Sequence, residues 1–210
     1  MPAAEKGAGH GALLFGRSIR KIWNERAMDK QAEERKPMTE QIQVVAYDPG
    51  WTEIFHKEAR NIRRALGKRT LSVEHVGSTS VPDLPAKPVI DIVLVVADSA
   101  AENEYTQALE SAGYRLCIRE PEWYQHRMFK GREDRLNLHV FSAGCPEIDR
   151  MVTFRNWLRI SKADRELYAH VKQCLAQQHW VYTVDYANAK TEVIKEILSR
   201  ATVEATRGRT

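Results

Sequence analysis

Asp91 is a carboxylate inside the run Val89-Ile90-Asp91-Ile92-Val93-Leu94-Val95-Val96, which is otherwise apolar and rich in β-branched residues. Such a run predicts a central strand covered on both faces. Burying a lone carboxylate costs several kcal/mol unless a cation, a metal or hydrogen bonds compensate it. Asp91 is therefore either a working acid or a partnered structural one. Upstream, Ser72 to Val76 reads as a strand entering a turn at Gly77-Ser78, and residues 79 to 90 lead from that turn back to the acid. A Gly-Ser pair alone says little. Followed at this spacing by an acid on an apolar strand, it says more.

That layout resembles the nucleotidyltransferase superfamily. There the glycine lets the backbone approach a triphosphate, and the serine and neighbouring amides hydrogen-bond its oxygens. The strand acid holds a divalent cation that bridges the phosphates. More specifically, Glu74-His75-Val76-Gly77-Ser78-Thr79-Ser80-Val81-Pro82 through Ala86-Lys87-Pro88-Val89-Ile90-Asp91-Ile92 resembles the GrpB family. Tyr47-Asp48-Pro49, Trp51, Phe55 and Glu58 are similar to its opening helix, and Asn137-Leu138-His139-Val140 to its later core strand. Phe154 to Arg159, with Tyr168, Lys172, Tyr186, Ala187 and Lys190, is similar to its C-terminal helical signature. The resemblance spans residues 42 to about 200. It implies an α/β (α+β) nucleotidyltransferase-like fold, a mixed sheet core with helices and a helical C-terminal part. It also implies a nucleotide-binding turn at Gly77, Ser78 and Thr79, and a catalytic, metal-binding acid at Asp91. Mg²⁺ is the implied cofactor, and ATP or another nucleoside triphosphate the implied substrate.

One position departs from the wider superfamily. Most of its members carry a second acid two residues after the first, on the same strand face; here that position is Val93. A mechanism with paired strand carboxylates is unsupported. Replacement partners are available: Glu74 or His75 from the preceding strand, and His139 from the Asn-Leu-His-Val strand. The working assignment makes Asp91, Glu74 and His139 catalytic, with Asp91 and Glu74 as metal ligands. For His139 the alternative is a hydrogen-bonded core histidine, because Mg²⁺ prefers oxygen ligands. Lys87, on the loop leading to Asp91, meets either the triphosphate or the aspartate itself. Arg155 and Arg159 stand four apart on one helix face, forming either a phosphate clamp or salt bridges toward Asp149 or Asp164. Tyr168 and Lys172 repeat that spacing on the next helix and extend the nucleotide-binding wall. Trp123, Tyr124, His126 and Arg127 line the expected rim, with plain packing as the alternative for Trp123. Glu74, Glu122 and His126 are candidates for the general base.

These side chains need particular elements to position them. Asp48-Pro49-Gly50 signals a turn, with Asp48 or Thr52 to cap the helix beyond it. Trp51, Ile54, Phe55, Ala59, Ile62 and Leu66 then recur at helical spacing until Gly67. Asp98 to Ala112 reads as a helix closed by Gly113. Tyr114 to Arg119, Arg127 to Lys130 and Leu136 to Phe141 read as strands, with a turn at Gly131. After Pro146 come helices over Ile148 to Ile160, Ala163 to His179 and Asn188 to Ala201. The expected domain covers 41–202, between a poorly ordered extension at 1–40 and a tail at 203–210. Within the extension, Leu13, Ile19 and Trp23 would line a short helix, and a membrane-surface or partner helix is the alternative. Met28 and Met38 are candidate internal starts.

At 210 residues the chain suits one domain with a full core. Its net charge of +4 is dispersed among many acidic residues, so nucleic-acid binding is not implied. The three cysteines form no metal-ligand or disulfide pattern, which fits a reducing, cytoplasmic compartment. No apolar run approaches the roughly 20 residues that span a bilayer. The expected activity is transfer of a nucleoside monophosphate to a hydroxyl of a small molecule, with an aminoglycoside antibiotic as the specific acceptor by fold-level analogy. The alternative is a nucleotide-binding or interaction module that has lost catalysis, the reading favoured by Val93.

Overall fold

The computed structural model describes residues 41–207. The expected extension at 1–40, with its helical reading, lies outside them. Asp48 Oδ1 accepts the Gly50 amide at 2.8 Å, and helix α1 (Gly50–Leu66) begins there. Gly67, at φ 57°, closes it with its amide on the Arg63 carbonyl. The strands are β1 (Ser72–Val76), β2 (Ile90–Val96), β3 (Arg115–Glu120), β4 (His126–Lys130) and β5 (Leu136–Ser142). The remaining helices are α2 (Thr106–Ser111), α3 (Pro146–Ile160), α4 (Lys162–Ala176), α5 (Thr183–Ala189) and α6 (Thr191–Arg207). Among the described residues, no helix is long and apolar enough to cross a membrane.

Two helical expectations are corrected. The helix expected from Asp98 begins only at Thr106, because side chains draw the preceding segment into turns. Asp98 Oδ1 accepts the Ala100 amide at 2.8 Å, the Tyr105 hydroxyl donates to the Ser99 carbonyl at 2.6 Å, and Glu102 pairs with Arg119 and Arg127. The helix expected from Asn188 is two helices that meet at Lys190, with no Gly or Pro to announce the break. The last of them runs on to Arg207, into the segment expected as a tail.

The five strands form one mixed sheet in the order β1-β2-β5-β4-β3. β2 runs parallel to β5; the other three pairings are antiparallel. Directly paired residues share a face, so register sorts the side chains. Val73, Ile92, Leu94, Leu138, Val140 and Phe129 face α1 and α2 and form the main core with Trp51, Ile62, Leu66, Tyr105 and Leu109. The opposite face carries Glu74, Val76, Asp91, Val93, Asn137, His139 and Phe141. Helix α3 covers part of it, packing Ile148, Met151 and Val152 over Val76, Val93, Val95 and Phe141. The rest stays open around Asp91.

The C-terminal helices stand beside that open part. Phe154, Leu158, Tyr168, Val193 and Ile197 pack around Val81 and Leu84, just past the Gly-Ser turn. Asp164 holds this bundle together. Its carboxylate accepts Trp157 Nε1 at 2.6 Å and both Arg200 Nε and Nη2, at 2.9 and 2.7 Å, while the side chain is 9% exposed. Burial opposes its ionisation, but the Arg200 and Trp157 hydrogen bonds outweigh that and hold its pKa below the usual carboxylate value. We expect Asp164→Ala to cost about 3 kcal/mol in denaturant unfolding, since it takes the acceptor from the half-buried Trp157 indole N–H and the carboxylate from Arg200. Because the folded pKa is depressed, Asp164's contribution is present above the unfolded carboxyl's pKa and is lost as pH falls through the folded one. The mutant should therefore show a weaker decline of stability on acidification; an unchanged profile would refute the assignment.

Candidate active site

Gly77 ends β1 at φ 70°, ψ −175°, a conformation that glycine adopts and other residues resist. A Cβ on Gly77 would lie 2.4 Å from Asp91 Oδ2, so the carboxylate sits directly on the turn. A 3₁₀ turn over Ser78–Ser80 comes next, with Ser80 Oγ donating to the Gly77 carbonyl at 2.6 Å. Asp91 is held from its other side. Asn137 Nδ2 donates to Asp91 Oδ1 at 2.7 Å, and Lys130 Nζ donates to Asn137 Oδ1 at 2.6 Å, which orients the amide. His139 Nε2 lies 3.8 Å from Asp91 Oδ1. Burial opposes ionisation of Asp91, yet the His139 imidazole, the Asn137 amide and the charge of Lys190 together lower its pKa. With 30% of its side chain exposed, Asp91 is an ionised acid within reach of a ligand.

Cations gather round it. Lys190, between α5 and α6, stands over the Tyr186 ring at 4.2 Å. Its burial brings its pKa down to about 8 against the favourable field of Asp91. Lys172 is 2% exposed, donates to the Pro85 carbonyl, and is lowered by burial and by Lys190 to about 7. Lys87 lies at the open side, where partial loss of hydration and the charge of Lys130 lower its pKa while Asp91 raises it. Lys87 and Lys190 thus act on the Asp91 carboxylate directly, with Lys130 behind Asn137 and Lys172 behind Lys190, an excess of positive charge that suits a polyanion. Burial raises the pKa of the Tyr168 hydroxyl, and Ser78 opposes that rise.

The other expected site residues fall elsewhere. Arg155 and Arg159 pair with neither Asp149 nor Asp164; both clamp the turn itself. Arg155 Nη1 binds Glu74 Oε2 and the His75 carbonyl, each at 2.8 Å, and Arg159 grips the Ser80 carbonyl with Nε and Nη2 at 3.1 and 2.8 Å. Glu74 shares the face of Asp91 but stands one pleat further down β1 in that ion pair, while His139 is the side chain that stands beside Asp91. His75 points to the opposite face, stacked on Phe55 at 4.7 Å, and burial takes its pKa to about 4. Thr79 is buried against His75 Nε2 at 3.1 Å. Arg127 turns toward Glu102 on the core side rather than the rim, and Trp123 packs edge-on against Phe141. Reasoning from residue types passed over Asn137, Lys130 and Glu120. Alternation along β4 and β5 was the available signal, since 126, 128 and 130 must share a face with 137 and 139 once those strands pair.

Residues 41–200 match the family model described as GrpB protein. The chain is 54% identical over 168 residues to the UPF0157 protein of Halalkalibacterium halodurans, covering 80% of this chain and 86% of that one. It is 42% identical to the UPF0157 protein of Streptomyces coelicolor, over 79% of this chain and 87% of the relative. Among solved structures it is similar to the conserved protein GrpB from Enterococcus faecalis, with a TM-score of 0.69 and 34% identity, over 78% of this chain and 99% of that one.

Proposed function

The chain belongs to the GrpB family, and from that membership and the site's geometry we propose that it is a nucleotidyltransferase, moving a nucleoside monophosphate from a triphosphate, ATP first, to a hydroxyl of a small molecule. The observation that carries this reading is a single ionised carboxylate seated on a glycine turn and flanked by the charges of Lys87 and Lys190. Among the described residues no three His, Cys, Asp or Glu side chains stand together as a metal cage. Asp91 and His139, 3.8 Å apart, are the residues that would hold a divalent cation accompanying the nucleotide. Such a cation supplies charge neutralisation at the phosphates.

The protein's own residues do the rest. The backbone at Gly77 and Ser78 approaches the triphosphate without a side chain in the way. Lys190 and Lys87 neutralise its outer oxygens, with the charge of buried Lys172 behind them, and Asn137 keeps Asp91 aimed at the turn. Positioning and electrostatics supply most of the catalysis, as is general for phosphoryl chemistry. The test is incubation with a divalent cation, labelled ATP and a panel of hydroxylated acceptors, an aminoglycoside among them. Adenylylated product is expected by mass. Nucleotide binding with no product across the panel would favour the second reading, a nucleotide-binding module, which draws its support from Val93. That residue is fully buried beneath α3, in one apolar cluster with Ile148, Met151 and Val152.

The lysines also make binding depend on pH. Lys172 and Lys190 have depressed pKa values of about 7 and about 8 in the free protein. Phosphate favours their charged forms, so nucleotide binding takes up protons wherever the free lysines are partly neutral. Nucleotide affinity should fall as pH rises from 7 to 9, by up to about tenfold per unit for each lysine titrating. Titration calorimetry in buffers of different ionisation enthalpy would report the uptake; a flat affinity would remove these lysines from the site.

A further inference from the structure

The site's histidine has a support that the proposed chemistry does not use. Glu120 and His126 are paired across β3 and β4, and His126 shares its sheet face with His139 on β5. Glu120 Oε2 lies 2.7 Å from His126 Nδ1, and His126 Nε2 lies 3.0 Å from His139 Nδ1. His126 is 3% exposed, stacked on Phe141 at 4.7 Å and edge-on to Trp123 at 5.0 Å, so its ring cannot turn away.

We propose that Glu120 and His126 are positioning residues that fix His139 as a nitrogen ligand beside Asp91, and that the resulting nitrogen–oxygen pair takes an imidazole-accepting transition ion of the Fe²⁺, Co²⁺ or Zn²⁺ class in preference to Mg²⁺. This rests on the reading of Asp91 as the acid that meets the nucleotide's cation. A carboxylate only accepts, so Glu120 draws the proton of His126 to Nδ1. His126 Nε2 can then accept from His139 Nδ1–H, the tautomer that a cation at His139 Nε2 requires. That nitrogen lies 3.8 Å from Asp91 Oδ1, so without a cation its proton or charge favours the carboxylate, and a cation that displaces the proton is shared between the two groups.

The arrangement also has the form expected around a metal-binding histidine, whose second nitrogen is normally held by an oriented acceptor. His139 pairs in register with Val93, so the imidazole arrives from the neighbouring strand at the level where the second carboxylate is missing. Exchanging an oxygen for a nitrogen donor there disfavours Mg²⁺, which demands oxygen, and favours ions later in the first transition row.

The test uses the full chain with a non-hydrolysable ATP analogue and Co²⁺ as probe. Co²⁺ should bind at least about tenfold tighter than Mg²⁺, and only with the nucleotide present. Proton NMR of the complex should show one exchangeable, hyperfine-shifted N–H resonance, the Nδ1 proton of a cobalt-bound imidazole. His139→Gln should remove that resonance and the preference for Co²⁺ while Mg²⁺ binding persists. His126→Gln and Glu120→Gln should weaken Co²⁺ several-fold with Mg²⁺ little changed, which general loss of structure would not do. Co²⁺ binding that depends on Asp91 but shows no shifted N–H resonance overturns the proposal and leaves the nucleotidyltransferase reading intact. If neither cation binds in an Asp91-dependent way, that reading falls as well.

Discussion

Asp91→Asn should lower nucleotidyl transfer by about 10³-fold, roughly 4 kcal/mol of barrier, while the protein stays folded. An asparagine has the same shape, and its Oδ1 can still accept from Asn137 Nδ2. The loss is of the charge that attracts a cation and that raises the pKa values of Lys87 and Lys190. The substitution therefore has two opposed consequences for binding. Nucleotide complexed with a divalent cation should bind more weakly, because the anionic contact with the cation is gone from the turn. Nucleotide stripped of metal should bind no worse, and at neutral pH somewhat better, because a repulsive carboxylate has been removed from an anion site. Single-turnover rates and nucleotide affinities with and without metal separate these effects. Transfer that survives the substitution within a factor of about ten would displace Asp91 from the chemistry.

Gly77→Ala should do similar damage to transfer and also weaken the fold. At φ 70°, ψ −175° an alanine is strained by about 1–3 kcal/mol. Its Cβ would also meet Asp91 Oδ2 at 2.4 Å and Asp91 Cβ and Cγ at 3.0 Å, so either the turn or the carboxylate must move. The turn has little freedom to yield, because Ser80 binds the Gly77 carbonyl and Arg159 binds the Ser80 carbonyl. We expect a loss of about 2–4 kcal/mol in denaturant unfolding, together with loss of transfer beyond what reduced stability explains. Near-native stability and activity in Gly77→Ala would mean that the carboxylate does not rest on this turn.

Much of the frame was legible because its signals are local. The apolar run around Asp91, the helical spacing from Trp51 to Leu66 and the glycine at 77 each depend on a few neighbouring residues. The site was legible only in part. Arg155 and Arg159 are spaced for a clamp, but helical spacing does not say what lies opposite. In the fold it is the backbone of His75 and Ser80. Glu74 and His75 are adjacent in sequence, and alternation along β1 sends them to opposite faces; which of them joined Asp91 depended on a register that only strand pairing sets. Lys190 and the Glu120–His126 pair come to Asp91 from a helix junction and from strands two and three places along in sheet order, contacts that no spacing rule encodes. The over-long helix at Asp98 failed for a different reason, because Ser99 and Glu102 have partners far along the chain.

The clamp on the turn also has a bearing on how the protein is made. Ser80 leaves the ribosome early, yet the arginine that holds its carbonyl emerges 79 residues later. The hairpin of β1 and β2 can form as soon as both strands are out. Asp91's strand gains its parallel neighbour only once β5 has been synthesised, and Asn137 lies 46 residues after the acid it holds. During elongation the glycine turn and its carboxylate are therefore together but unbraced, and the site becomes rigid only when the third helix arrives. A ribosome stalled before Arg155 should display a chain in which the β1–β2 hairpin is protected from proteolysis and the Gly77–Ser80 turn is not.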